Sequence, residues 1–498
     1  MTVGLGASPA AADAAPAYPD LPVVPAQSAR AFGDSVGVNV RLTFLDTSYA
    51  DYETIETRLR ELGVRYVGDG LCATCEYQID RLQRLARVGI QANIGVGTLN
   101  GGGPSIDPGL QVIKNRLMNS VIAITSVNEP DITGDPNWIQ KTRAFQQALW
   151  ARVKGDPALA HLPVIGPSLV HRSSRAALGD ISSYLDLGNL HPYPGGLPPL
   201  GNLADELQLA SAVSANKPVV ATEIGYHTDL SFTGGNRPAT ERVVATYMPR
   251  IALEGFRGGI QRSYIYTLAD LWSPSEAAAR GLSASENSFG LLRWDLSPKP
   301  SFYTLRNLLR AVDGDSAPVT APGGMRLGLE GAAPDLRSLL LRSADGTYAL
   351  VLWRTASVWD WVAQKELDPA PDRVDVVLGQ PVSLAQRFDP VASSAETNRW
   401  ADPSRIGVDV AGAPVVLRFT PPGAGGAVQR LRAGGRTPCC GGVLGKKKKR
   451  CRAAACCRKG SRPKRALKGK RRRSERGHAH RRRHATWSKA CVSLKRPR

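Results

Sequence analysis

"VIAITSVNEPD", residues 121–131, decides the fold of this 498-residue chain. It opens as an apolar run without two-residue alternation, the mark of a strand covered on both faces. It ends on a carboxylate, Glu129, held between Asn128 and Pro130. A buried strand that stops on an acid is what a closed parallel barrel presents at its mouth, where strand C-termini carry the reactive groups.

Working outward, seven further runs have the same character: "VGVNVRL" (36–42), "VRYVGD" (64–69), "IQANIGV" (90–96), "LPVIGPS" (162–168), "LDLGNLHPY" (185–193), "KPVVATEIG" (217–225) and "IQRSYIYTL" (260–268). Amphipathic helical patterns lie between them. "DYETIETRLRELG" puts Ile55, Leu59 and Leu62 on one face before a stop at Gly63, and "EYQIDRLQRLARVG" repeats this with Ile79, Leu82, Leu85 and Gly89. "NWIQKTRAFQQALWARV" and "ATERVVATYMPRIALEG" follow the same plan. Eight strands and their crossovers within 35–314 predict an α/β fold, a (β/α)8 TIM barrel. A doubly wound open sheet gives the same alternation. However, the stretch after the first strand, "NVRLTFLD", has no glycine to cradle a dinucleotide phosphate.

Beyond the Gly/Pro break "APGGMRLGLEGAAPD" the period shortens. "LRSLLLRSADGTYALVLWR" reads as a hairpin turning at Asp345-Gly346, and "RVDVVLG", "VSLAQRFD", "IGVDVAG" and "PVVLRFTP" continue it. Residues 315–432 are therefore expected to form a small all-β, sandwich-like domain. Residues 1–34, Ala- and Pro-rich, read as a leader: a signal remnant or a linker.

Residues 433–498 read as a disordered tail rich in Cys, Arg and Lys. From Arg436 onward it holds 25 of the 64 Lys and Arg and one acid, Glu475, so this segment alone carries +24 of a net +21 and the remainder is −3. The basic character of the chain is thus no property of its folded body. Three readings of the tail stand: a binder of polyanions through phosphate neutralisation, a solvated extension, or the product of a shifted reading frame. Six of the eight cysteines lie in it. In the body "LCATCE" holds only Cys72 and Cys75, which suits a small loop disulfide, a metal or redox pair, or plain thiols. No run of about 18 apolar residues exists, so no membrane span is expected.

Glu129 has a partner. Glu223, in "VVATEIGY", ends the seventh run, and three β/α steps bring both to one mouth. Two facing carboxylates are the equipment of glycoside hydrolysis: one attacks the anomeric carbon while the other acts as acid and then base. The plain structural alternatives are a turn-capping Glu129 and an ion-paired Glu223.

At this point the chain resembles the retaining (β/α)8 glycoside hydrolases of clan A, with Asn-Glu-Pro at the fourth strand and a nucleophilic Glu at the seventh. The segment "NSFGLLRWDLSPKPSFYTLRNLL" (287–309) is similar to that group's ending. The resemblance implies that Glu129 is the acid/base, that Glu223 is the nucleophile and that Asn128 binds the sugar 2-hydroxyl. It implies that His191 and Tyr193 contact nucleophile and substrate. Tyr266, Trp272 as a stacking face and Asp69 as a hydroxyl ligand complete the expected substrate-binding set. That group often places an Arg near the end of the second strand; here that strand starts with Arg65, and Arg41, ending the first, is the candidate to replace it.

The expectation is a monomeric, secreted or envelope-bound glycosidase for a β-linked oligo- or polysaccharide, needing no cofactor or metal; a cytoplasmic place stays open. Two rival readings are a carbohydrate-binding barrel without catalysis and a polyanion-binding protein acting through the tail.

Overall fold

The computed structural model describes residues 18–97, 99 and 106–424. The predicted tail and the first part of the leader lie outside them. Eight parallel strands form one sheet: β1 (Val36–Asn39), β2 (Tyr66–Gly70), β3 (Gln91–Gly95), β4 (Val121–Thr125), β5 (Val164–Ile165), β6 (Gly188–Leu190), β7 (Val219–Ile224) and β8 (Ile260–Ile265). They run β5-β4-β3-β2-β1-β8-β7-β6, with β8 paired to β1. At the remaining seam Ile165 bridges Leu187, and Gly166 N donates to Leu187 O at 2.9 Å. The eight-stranded barrel is the expected one, nearly closed.

Its interior is packed. Ala123, Ile165, Val220 and Tyr264 form one buried cluster, with Tyr66 and Leu187 against it. These six come from different strands or strand ends, as interior layers of such barrels do. Gly37 is required beside them: a Cβ there would lie 2.6 Å from the Tyr264 ring. The sheet-paired strands are shorter than the apolar runs. β4, for example, stops at Thr125 although the run continues to Glu129. Pairing ends where the mouth opens, and the extended chain goes on as loops that carry the site.

The two helices expected over 51–63 and 76–89 appear as Tyr52–Leu62 and Glu76–Arg87. Asp51 accepts from Thr54 N at the first N-terminus, and Gly63, at φ 84°, closes its C-terminus. Cys72 and Cys75 form a disulfide with Cα atoms 5.3 Å apart, settling the three readings of that pair. Among the described residues no helix is long and apolar enough to cross a membrane.

Beyond the barrel lie sheets of four, six and two strands, in which the strands from Gly324 onward pair antiparallel with one another. Leu327, Leu340, Leu350, Val374, Val408, Leu417 and Phe419 are buried together in one of the two cores they help to form. Leu341, Val351, Trp353 and Val416 instead join the core that also holds barrel residues such as Tyr247, Ile251 and Phe302. Part of the expected leader is built into the fold, over residues 23–34. Val23–Pro25 pairs antiparallel with Gly324–Arg326, Gln27–Ser28 pairs with Leu341–Arg342, and Ala29–Asp34 is helical. Runs of three and two residues are too short to read as strands from sequence, and their partners lie roughly 300 residues away along the chain.

Candidate active site

The acid expected on the fourth run sits just past β4. Glu129 adopts φ 44° and ψ 54°, a left-handed conformation that a non-glycine residue holds only when its surroundings compel it. The compulsion is visible. Glu129 N donates to Ser168 Oγ at 3.1 Å, and Ser168 Oγ donates to Asn128 Oδ1 at 3.0 Å. Asp131 accepts from Val170 N and His171 N at 3.1 and 2.9 Å. The loops after β4 and β5 are thereby tied together. Asn128 is exposed and spends its oxygen on Ser168, which leaves its NH2 as a donor for a ligand.

Glu223 enters from β7, where the register against β8 slips. Ser263 faces Ala221 while Ile265 faces Ile224, so the bulge falls at Thr222–Glu223. A bulge re-aims side chains that strict alternation would send to opposite faces. Both consecutive residues accordingly reach partners from the end of β6: Tyr193 OH donates to Glu223 Oε2 at 2.7 Å, and Thr222 Oγ1 lies 2.9 Å from His191 Nε2.

His191 joins the two acids. Its Nδ1 is 2.7 Å from Glu129 Oε1 and 3.7 Å from Glu223 Oε2. Ligand-capable atoms of Glu129, His191 and Glu223 all lie within 4.8 Å of one another. The carboxylate side chains are 22% and 21% exposed against 2% for His191, so a ligand can reach the acids while the imidazole is sealed behind them. The three also have the donor types of a cation site; here each is engaged in hydrogen bonds to protein.

Asn189 Nδ2 donates to Gly166 O at 3.1 Å, which turns Oδ1 toward Thr222. Oδ1 only accepts, so Thr222 Oγ1 donates to it at 2.8 Å. The hydroxyl then has only a lone pair for His191, and Nε2 carries a proton. Nδ1 therefore donates to Glu129 Oε1 whenever the ring is charged. Burial, the largest influence, works against the imidazolium, yet the charges of Glu223 and Glu129 outweigh it and raise the His191 pKa above its usual value.

Burial, reinforced by the Glu223 charge, lifts Tyr193 well above the usual phenol range, so it remains a proton donor to Glu223. Tyr266 is pushed up to about 12, by burial first, with Arg41 opposing. Arg41 follows β1 and donates to the Tyr266 hydroxyl. Its pKa is raised: burial is the largest influence and opposes the charge, but Tyr266, Glu223 and Asp69 prevail. This is the arginine expected to stand in for the missing one. Tyr193, Tyr266 and Phe289 meet edge to face, with centroids 6.2, 5.7 and 5.2 Å apart, which fixes both phenols.

Two expected ligand residues are used differently. Asp69 Oδ2 accepts from Leu42 N at 3.1 Å and Gln78 Nε2 at 3.0 Å, and Oδ1 from Gly70 N at 2.9 Å. Burial pushes its pKa up to about 7 against these donors. A carboxyl so occupied holds the loops after β1 and β2, and with them Arg41, in position. Trp272 gives its indole N–H to Asp46 O at 3.0 Å and carries the Arg280 guanidinium 4.8 Å from its ring, so one face is taken.

Sequence reasoning passed over Ser168, Asn189, Thr222, Glu286 and Phe289. Asn189, His191 and Tyr193 recur at two-residue spacing, the signature of one strand face, and that signal was available. Glu286, on the loop after β8, interacts with Tyr266; burial and the charges of Glu223 and Glu129 raise its pKa. Nothing local in the sequence marks it.

Fold and site thus define a (β/α)8 barrel with paired carboxylates at its mouth. No protein-family model matches the chain, and no curated protein matches it. Among solved structures it is similar to a family 39 glycoside hydrolase from the gut symbiont Bacteroides cellulosilyticus WH2, with 16% identity and a TM-score of 0.54 over 80% of this chain and 83% of that one. It is also similar to a glucosidase from Croceicoccus marinus, with 10% identity and a TM-score of 0.52 over 80% of this chain and 97% of that one. At such identities the likeness is one of fold. Its extent exceeds the barrel alone, and the structural neighbours are glycoside hydrolases.

Proposed function

We propose that the protein is a retaining glycoside hydrolase that cleaves a β-linked oligo- or polysaccharide by double displacement. The observation that carries this reading is the meeting of Glu129 and Glu223 oxygens within 4.8 Å at one barrel mouth. Retaining enzymes hold their carboxyl groups about 5–5.5 Å apart, whereas inverting ones need about 6.5–9.5 Å to admit water.

Glu223 attacks the anomeric carbon as Glu129 passes its proton to the departing glycosidic oxygen. Glu129 then takes a proton from water, which breaks the glycosyl–Glu223 ester and regenerates both groups. Tyr193 holds one Glu223 oxygen, leaving the other for attack. The Nδ1 proton of the charged His191, 2.7 Å from Glu129 Oε1, is placed to supply Glu129. The Asn128 NH2 is available to the sugar 2-hydroxyl. Replacing Glu223 by Ala is expected to abolish turnover of aryl β-glycosides, with azide restoring part of it as the glycosyl azide. Full activity in Glu223→Ala refutes the assignment.

Export to an oxidising compartment belongs to the same proposal and is supported by the Cys72–Cys75 disulfide. Recovery of the native protein from cytoplasm with both thiols free counts against it.

A further inference from the structure

The β-domain sends a hairpin to loops of the barrel mouth, and its tip presents a tryptophan with no role in any core. Trp359–Asp360 pairs with Lys365–Glu366. Trp359 anchors the hairpin: it is 2% exposed, and its indole N–H donates to Pro238 O at 3.0 Å. Glu366 accepts from the Thr240 hydroxyl and Arg242 Nε, and Gln364 Nε2 donates to Leu230 O at 2.9 Å. The turn itself is fixed by Asp360 Oδ1, which accepts from Val362 N and Ala363 N at 3.0 Å each. On this rigid turn Trp361 remains 38% exposed, beside Val362 at 74%.

The loops it touches start at the catalytic residues. Gly196, at φ 81°, packs so closely that a Cβ there would lie 3.2 Å from Trp361 Cβ. Gly196 is only three residues beyond Tyr193, whose hydroxyl holds Glu223. Three residues span at most about 11 Å. Leu230 lies on the loop that leaves β7 after Glu223, and it and Leu197 are 40% and 50% exposed. The Arg237 guanidinium stands 5.7 Å from the Trp361 ring centroid. An apolar surface with one indole, whose second face Arg237 leaves open, and one fork of N–H donors matches a pyranose, which has an apolar face and a rim of hydroxyls.

We propose that Trp361 and Arg237 form an outlying subsite for a further sugar unit of the same β-linked chain, remote from the bond that Glu129 and Glu223 cleave. This rests on the glycan reading of the mouth, and continuity with that mouth argues for its occupant.

The test measures binding of cello-, laminari- and xylo-oligosaccharides, from di- to hexasaccharide, to Glu223→Ala with and without Trp361→Ala. It adds kcat/KM on any series that the intact protein hydrolyses. With Trp361 present, affinity should rise with chain length in one series. Trp361→Ala should remove about tenfold of that rise at the longest member, and Arg237→Ala should remove a smaller part. An unaltered melting temperature certifies the variants. Loss of equal size at every length, no loss at the longest, or no binding of any series overturns the subsite. So does a change in molecular mass on Trp361→Ala, which would make the patch a contact between copies. Length-dependent binding without hydrolysis retains the subsite and removes the hydrolase reading, so the two failures are separable.

Discussion

Replacing Thr222 by Val tests the proton relay behind Glu129. The substitution keeps the shape of the side chain and removes only the hydroxyl that lies 2.9 Å from His191 Nε2. His191 is 2% exposed, so water cannot readily replace that acceptor. A hydrogen bond to a charged group contributes about 1.5–3 kcal/mol and one to a neutral group about 0.5–1.5. The imidazolium therefore loses about 1–1.5 kcal/mol more than the neutral ring, and at 1.36 kcal/mol per unit the pKa falls by about one. In the intact protein Glu223 and Glu129 raise the His191 pKa, so the Nδ1 proton facing Glu129 is retained until pH climbs through that raised value. Only below it can the imidazolium supply a proton to Glu129. Thr222→Val should move the alkaline limb of kcat/KM on an aryl β-glycoside about one unit toward lower pH. Histidine-selective NMR of the folded variant reads the same shift without a substrate. An alkaline limb and an imidazole titration that both stay put would refute the relay.

Two further outcomes follow from the same geometry. Tyr193→Phe removes the donor 2.7 Å from Glu223 Oε2. It should lower kcat about 10- to 100-fold with little change in KM, as steady-state kinetics will show. Asp69→Ala deletes three acceptor contacts that pin the loops carrying Arg41. About 3 kcal/mol of stability should be lost, seen in urea unfolding, along with about tenfold in kcat/KM; unfolding at the same urea concentration would contradict the pinning role.

How much of this was legible depended on range. The barrel was legible because each parallel strand is covered on both faces and writes an apolar run, and each covering helix writes a period near 3.6. Both signals are local. Glu129 and Glu223 were legible because they end such runs. The N-terminal strands were not: two or three residues carry no period, and what makes Val23–Pro25 a strand is the edge offered by Gly324–Arg326. The partners of Asp69 were hidden for a similar reason. A carboxylate at a strand end looks free in sequence, and only the fold brings Leu42 N and Gln78 to consume it. Glu286 and Phe289 sit on a loop whose path past Tyr266 no periodicity records.

The bulge in β7 is the deepest case of hidden information, because the site depends on one unpaired residue. In a regular strand Thr222 and Glu223 point to opposite faces, and only one of them can look into the mouth. If Glu223 alone did so, His191 would lose the acceptor for Nε2–H, and a buried imidazole with an orphaned proton would shed its charge. If Thr222 alone did so, the second carboxylate would be gone. The slip between Ser263/Ala221 and Ile265/Ile224 allows both. Asn39 Nδ2 then fastens the carbonyl of Thr222 at 2.9 Å, from the strand on the far side of β8. Glu223 and the hydroxyl partner of His191 are thus supplied by adjacent residues of one strand, so a change that restores regular pairing there should break both contacts together.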